Sequence, residues 1–139
     1  RGDGTIDTEE ETILDGITRW MAVNGNAAVW GSRPWRIYGE GPTQVKAGMH
    51  TEGGVRFVPQ DVRFTVKQGR LNAILMAWPD RPVTISSLGT RAGTVARAAL
   101  SDGRPVRLHQ TSAGLTLTLP PPRAGEVVPV VVLDGRGLI

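Results

Sequence analysis

Cysteine is absent from this sequence of 139 residues, and histidine occurs only twice. The lack of cysteine excludes a disulfide scaffold, a thiolate metal site and a cysteine nucleophile, but it leaves the redox compartment open. The two histidines, His50 and His109, lie far apart, with no other ligating residues at the spacing of a metal site. We therefore expect no zinc site.

Long hydrophobic runs are missing as well. No apolar stretch approaches the roughly 20 residues that a membrane-spanning helix needs, and residues 1–4 lack the apolar segment of a signal peptide. We therefore expect no membrane partner. The sequence also has no initiator methionine and opens in a loop-like segment, so we expect it to be a piece of a longer protein.

Lysine is scarce, with Lys46 and Lys67 the only two, so arginine supplies nearly all of the positive charge. The formal net charge is only +3, and the isoelectric point of about 10.2 reflects the strong basicity of guanidinium groups. The arginines are scattered along the chain and alternate with apolar residues, as on solvated strand faces. This pattern does not favour a nucleic-acid partner.

What the sequence does contain is the composition of one folded domain, with 40% hydrophobic and 21% charged residues. One helix is predicted over residues 9–23. Thr8 and Glu11 have the spacing of a capping box, and Asn24-Gly25 supplies a stop signal. An apolar stripe follows helical spacing and needs a surface to pack on; it consists of Ile13, Leu14, Ile17, Trp20, Met21 and Val23.

After the helix, residues 27–54 are rich in glycine, proline, tryptophan and arginine, and we expect an irregular connector held by its aromatic side chains. Residues 62–67 and 71–78 then alternate with period two around Gln68-Gly69, which predicts a β-hairpin. Short strands are predicted at 83–85, 95–100, 106–110, 115–119 and 127–133. Strands at this spacing are typical of an antiparallel β-sandwich.

No catalytic constellation stands out from the residues alone. The chain has no serine elbow with a nearby histidine and no phosphate loop between a strand and a helix. The acidic residues belong to the helix start, to turns or to strand ends, so no carboxylate pair is singled out for glycoside hydrolysis. Trp30, Trp35 and Trp78 could stack on sugar rings, but their neighbourhoods favour packing roles.

Three segments carry a family resemblance. They are Thr5-Ile-Asp-Thr-Glu-Glu-Glu11 with the helix that follows, Trp30-Gly-Ser-Arg-Pro-Trp35 and Leu71-Asn-Ala-Ile-Leu-Met-Ala-Trp-Pro79. Together they resemble the C-terminal region of the α-L-fucosidases of glycoside hydrolase family 29, over about three-quarters of the chain. Members of that family usually have an acidic residue, a tyrosine and a threonine where this sequence has Asn26, Trp30 and Ser32.

The resemblance implies a mainly β fold, an antiparallel β-sandwich preceded by one amphipathic α-helix that is the last helix of an otherwise absent (β/α)8-like barrel. Residues 1–36, with Asp3-Gly-Thr5, would end the catalytic barrel, and residues 37–139 would form the C-terminal sandwich. The missing barrel is the expected partner. The expected inter-domain packing residues are Ile13, Ile17, Trp20 and Met21 on the helix, and Arg33, Trp35 and Tyr38 at the joint.

The family hydrolyses terminal α-L-fucose from fucosylated glycans with retention, using an aspartate nucleophile and a separate acid/base carboxylate, without metal or organic cofactor. Those two residues belong to earlier barrel strands, so the resemblance assigns no catalytic residue here and implies that the chain alone is inactive. It also implies an extracellular or periplasmic location. The sandwich would stabilise the barrel; the alternative is an independent carbohydrate-binding module, which would need an exposed aromatic platform.

Overall fold

A computed structural model describes residues 2, 4–45 and 55–139 of the chain. Asp3 and His50, which the sequence analysis discussed, lie outside the described residues. A single long helix, α1, comes first and spans Thr8–Ala28. The strands that follow in the described part are β1 (Arg33–Glu40), β2 (Val62–Lys67), β3 (Arg70–Leu75), β4 (Val83–Ile85), β5 (Thr94–Leu100), β6 (Arg107–Thr111), β7 (Gly114–Thr118) and β8 (Val130–Arg136).

The strands form two antiparallel sheets that enclose one hydrophobic core. The larger sheet has the order β1-β2-β3-β8-β5, and the smaller one has the order β4-β7-β6. Fully buried apolar side chains from both sheets meet between them, including Leu71, Ala73, Leu133, Leu115 and Leu117. The prediction of an antiparallel β-sandwich preceded by one helix is confirmed.

Helix α1 packs on the outer face of the larger sheet, opposite the core. Successive side chains of a strand point to opposite faces. Leu71 and Ala73 of β3 face the core, and Asn72 between them donates a hydrogen bond to a carbonyl of α1. Its cross-strand partner Thr65 does the same from β2. The molecule therefore has three layers: the helix, the larger sheet and the smaller sheet.

The ends of α1 differ from the prediction. The N-cap is Asp7 rather than Thr8: the Asp7 carboxylate accepts from the Glu10 amide at 2.9 Å, and the Glu10 side chain accepts from the Asp7 amide. The capping box therefore lies one residue earlier than expected. The helix also continues through Asn24 and Gly25 to Ala28. These two residues are buried against the rest of the fold, and this tertiary packing outweighs their local tendency to stop a helix.

Part of the expected irregular connector is strand β1. It pairs with β2 at Arg33 and Pro34, and again at Gly39 and Glu40, with a shift of register between the two pairs. This irregularity interrupts the alternation of apolar and polar residues, which hid the strand from the sequence pattern. The predicted domain boundary between residues 36 and 37 falls within β1 and stays a prediction.

The predicted hairpin is confirmed. Strands β2 and β3 are joined by Gln68 and Gly69, both with positive φ (48° and 76°), as a tight type I′ connection requires. Strand β8 begins at Val130, three residues later than predicted, and Val127 lies before it with 64% of its surface exposed. The segment before β8 thus belongs to the surface rather than to the sheet.

Candidate domain interface

The apolar stripe of α1 has two different environments along its length. In the C-terminal half, Asn24 and Ala28 are buried against the larger sheet. In the N-terminal half the same face is uncovered: Ile13, Leu14 and Ile17 keep 63%, 48% and 54% of their surface exposed. Half of the helix therefore presents a row of apolar side chains that the described residues do not cover.

Polar side chains of the sheet fix the end of the helix. The Thr65 hydroxyl donates to the Ala28 carbonyl at 2.9 Å, and the Asn72 amide donates to the Ala27 carbonyl at 2.8 Å. The Lys67 ammonium donates to the Asn26 carbonyl at 2.5 Å. The last carbonyls of a helix have no partner within the helix, so these three donors satisfy them and hold its end on the sheet.

Trp20 lies where the covered half of α1 meets the uncovered half. Its indole Nε1 donates to the Val128 carbonyl at 2.8 Å, and its ring is half-buried. From Thr8 to Arg19 every residue of the helix is exposed except the half-buried Gly16. The N-terminal half is therefore solvent-exposed, while the C-terminal half is anchored on the sheet.

The predicted packing residues divide into separate groups. Ile13 and Ile17 lie on the uncovered half of α1, and Trp20 and Met21 are half-buried next to it. The other three come from β1: Arg33 and Tyr38 are exposed, and Trp35 is buried in the core of the sandwich.

Trp35 has a structural role within this chain. Its Nε1 donates to the Leu138 carbonyl at 2.6 Å, and its ring meets Phe64 edge-on with 5.1 Å between centroids. Tyr38, by contrast, has 76% of its surface exposed, with the Arg63 guanidinium 5.6 Å from its ring centroid. Whether each of the seven residues contacts a barrel stays a prediction.

A groove of about 360 Å³ lies beside the uncovered half of α1. One wall is the helix, with Arg19, Trp20 and Val23, and the other is formed by residues 123–130 and by the turn after β5. No local pattern predicts this groove, because the helix wall and residues 123–130 are about 100 residues apart in the chain.

Arg104 organises the far wall of the groove. Its guanidinium contacts Asp102 at 2.7 Å and Glu126 at 2.5 Å, and it lies 5.6 Å from the centroid of the Trp78 ring. The hydrogen bond from Arg104 lowers the pKa of Glu126 below its usual range. Burial alone would raise the pKa of Asp102, but hydrogen bonds from the Arg104 backbone and side chain outweigh it and the pKa is lowered.

This carboxylate pair is not arranged for glycoside hydrolysis. In that reaction one carboxyl group must hold a proton at working pH, and its pKa is raised for that purpose. Asp102 and Glu126 instead share the same guanidinium, and the pKa of each is lowered. Their chemistry here is structural, since they hold the segment before β8 against the turn after β5.

One acidic residue that the sequence analysis assigned to a turn or a strand end, Asp61, is buried and has a larger structural role. The Asp61 carboxylate is fully buried and accepts from the Thr43 amide at 2.9 Å, the Thr43 hydroxyl at 2.6 Å and the Val58 amide at 2.8 Å. Burial alone would raise its pKa, but these hydrogen bonds, with the nearby charge of Arg63, lower it. Asp61 thereby joins the segment after β1 to the segment before β2.

The three tryptophans considered for sugar stacking also divide. Trp35 is buried and Trp78 packs against the core, with its Nε1 donating to the Pro120 carbonyl at 3.1 Å, so the packing role expected of both is confirmed. Trp30 was expected to be packed as well, but 62% of its surface is exposed. It follows the end of α1, where only its edge meets Gly25.

Within the described residues, no group of three or more histidine, aspartate or glutamate side chains could hold a metal ion. No helix in this part of the chain is long and apolar enough to cross a bilayer. No family model matches the sequence, and neither does any curated protein sequence.

Solved structures do match the fold. The Thermotoga maritima α-fucosidase superposes with a TM-score of 0.64 and 20% identity, over 96% of this chain and 28% of the other. The same enzyme in complex with a mechanism-based inhibitor superposes with a TM-score of 0.64 and 23% identity, with the same coverage of both chains. This chain has a fold found in α-L-fucosidases. The α-L-fucosidase isoenzyme 1 of Paenibacillus thiaminolyticus also matches, with a TM-score of 0.56 and 19% identity, over 94% of this chain and 28% of its own.

The expectation from the sequence resemblance is thus confirmed at the level of the fold, which includes α1 as well as the sandwich. The chain spans little more than a quarter of the α-L-fucosidase chains that it matches.

Proposed function

We propose that this chain is the C-terminal portion of a retaining α-L-fucosidase that hydrolyses terminal α-L-fucose from glycans. Two independent signs support the proposal. The sequence segments at the start and along the length of α1, at the start of β1, and in and after β3 resemble family 29. The fold, with its leading helix, matches parts of α-L-fucosidase structures. Within this proposal the parent enzyme needs no metal or organic cofactor, and it is extracellular or periplasmic.

The sandwich, in this proposal, stabilises the catalytic barrel and does not take part in catalysis. The observation that carries this role is the half-covered stripe of α1. Ile13 and Ile17 are exposed on a helix whose C-terminal end is fixed to the sheet. An apolar row presented in this way has the properties of a domain interface. The barrel would cover it, and the chain alone would be inactive.

The activity is tested with a chromogenic α-L-fucoside. The parent protein should release the chromophore with retention at the anomeric carbon, and the purified 139-residue chain should not. Hydrolysis by the isolated chain would contradict the assignment of catalysis to the barrel. A parent protein with no activity on any α-L-fucoside would contradict the proposal as a whole.

The interface is tested by the double variant Ile13→Gln/Ile17→Gln. Full burial of an isoleucine contributes about 1.5–3 kcal/mol, and about half of each side chain is still exposed here, so the parent should lose about 2 kcal/mol. The isolated chain should change by less than about 0.5 kcal/mol per site, as exposed positions do. Glu11→Gln/Ala22→Gln, at exposed positions of the same helix, is the matched control. Equal losses in the parent and in the isolated chain would refute the interface.

The alternative of an independent carbohydrate-binding module is favoured by one observation, the exposure of Trp30 and Tyr38. Calorimetric titration of the isolated chain with fucose and fucosylated oligosaccharides separates the two roles. Saturable heat that is lost in Trp30→Ala would favour the module, whereas no heat would favour the stabilising role. The proposed location is tested by finding the parent protein in the medium or the periplasm after fractionation of the source cells.

A further inference from the structure

The walls of the groove beside α1 are held together by hydrogen bonds and ion pairs. Trp20 is held by its hydrogen bond to Val128 on the facing wall, and Trp78 by its hydrogen bond to Pro120. Arg104 ties the turn after β5 to Glu126, and the Arg123 amide donates to the same carboxylate at 2.7 Å. Walls held in this way form a recess before anything enters it, so an occupant does not incur the entropic cost of shaping it.

The apolar floor of the groove continues the uncovered stripe of α1. Ile13, Ile17 and Trp20 follow one another at helical spacings of four and three residues, and Trp20 lines the groove. On the other side of the groove, Val127 is 64% exposed, and Val23 on the helix is 50% exposed. Whatever covers the stripe is therefore adjacent to the groove.

The acidic side chains of the groove are paired, whereas two of its arginines have donors that are not used. Asp102 and Glu126 are both paired with Arg104, whose side chain is only 17% exposed. Arg19, on the helix wall, is exposed, and its side chain has no hydrogen bond or ion pair among the described residues. Arg123 is 67% exposed and has one ion-pair contact, 3.5 Å from Asp102. The groove thus presents two guanidinium groups with unused donors and no unpaired carboxylate.

From these observations, and resting on the proposed function, we propose that the groove receives an acidic segment of the parent's catalytic domain. The segment inserts an apolar side chain between Trp20 and Val127 and places a carboxylate against Arg19 and Arg123. An apolar floor with two guanidinium groups fits such a segment by shape and by charge, because guanidinium donors match the geometry of a carboxylate. The segment comes from the parent because the adjacent stripe needs the same covering domain.

The test compares two double variants of the parent protein. Arg19→Glu/Arg123→Glu reverses the two charges of the groove. Arg97→Glu/Arg107→Glu makes the same change in charge at exposed positions of β5 and β6 that do not line the groove. At low ionic strength the first variant should melt about 2 °C or more below the second, and added salt should narrow the difference. In the isolated 139-residue chain the difference should be clearly smaller, because it then reflects only the loss of the partly exposed Arg123–Asp102 contact.

Equal melting of the two variants in the parent would overturn the proposal, and so would the same difference in the isolated chain, since the arginines would then act only within the sandwich. Saturable heat from a fucosylated oligosaccharide that Arg19→Glu/Arg123→Glu abolishes in the isolated chain would also overturn it, because the groove would then be a site for a small ligand. A parent without fucosidase activity rejects the proposed function and leaves this melting comparison interpretable.

Discussion

Replacing Asp61 by asparagine probes the buried contact that joins two segments of the chain. The carboxylate has no exposed surface and accepts three hydrogen bonds, two from Thr43 and one from Val58. Asparagine has nearly the same shape but only one acceptor oxygen and no charge. If that oxygen keeps the Val58 amide and the Thr43 hydroxyl, the NH2 group faces the Thr43 amide, and two donors then oppose each other.

The magnitude follows from these contacts. A hydrogen bond to a charged group contributes about 1.5–3 kcal/mol, and a buried donor left unsatisfied costs about 1–3 kcal/mol. One bond is lost and the other two lose their charge assistance, so Asp61→Asn should lower the free energy of unfolding by about 3 kcal/mol at pH 7. Asp80→Asn is the matched control, since the Asp80 side chain is 82% exposed, and it should lose less than about 0.5 kcal/mol.

Lowering the pH should reduce the difference in the free energy of unfolding between the Asp61→Asn variant and the original chain. The pKa of Asp61 is lowered in the folded chain, so its contribution to stability is present above its unfolded pKa and is lost as the pH falls through the folded value. The unfolded pKa is about 3.9. Urea titrations followed by tryptophan fluorescence, from pH 7 to below pH 4, measure both effects. A loss below about 1 kcal/mol at pH 7, or a difference independent of pH, would refute the reasoning.

Two further changes test the sandwich itself. Trp35→Phe removes the Nε1 donor and part of a buried ring, while the Leu138 carbonyl keeps a hydrogen bond from Arg36. The free energy of unfolding, measured with urea, should therefore fall by about 1–2 kcal/mol. An unchanged free energy of unfolding would mean that the Trp35 hydrogen bond makes no net contribution. Gly41→Ala would place a Cβ 2.3 Å from the Asp61 Oδ1, at a residue with φ +144°. Gly69→Ala is the control, because its φ is also positive (+76°) but the new Cβ would meet no atom within 4 Å. The Gly41→Ala variant should melt at a clearly lower temperature than Gly69→Ala, and equal melting temperatures would show that the contact relaxes easily.

The strands that could be predicted are those with regular local patterns. The hairpin of β2 and β3 was evident because alternation and the turn at Gln68-Gly69 are both short-range signals. Strand β1 escaped because its register shifts between Pro34 and Gly39. The end of α1 was placed too early because Asn24 and Gly25 have roles in the packed structure: the Ser101 hydroxyl, 77 residues away, donates to Asn24, and Gly25 makes room for the Trp30 ring.

Only the part of the candidate interface that lies on α1 could be predicted from the sequence. Ile13 and Ile17 follow the period of the helix, so their shared face is visible in the sequence. Arg104 and Glu126 are separated by 22 residues, and Trp20 and Val128 by 108, with no pattern that links them. The groove is therefore formed by tertiary structure, and it can be identified only in the folded molecule.

The anchoring of α1 has a practical consequence for exchanging domains between proteins that share this fold. The final carbonyls of the helix, at Asn26, Ala27 and Ala28, are satisfied by side chains of β2 and β3. A graft that begins after the helix would leave those side chains without acceptors and would uncover the outer face of the larger sheet. A transplanted sandwich should therefore begin no later than Asp7, so that the N-cap and the anchored end of the helix travel with it.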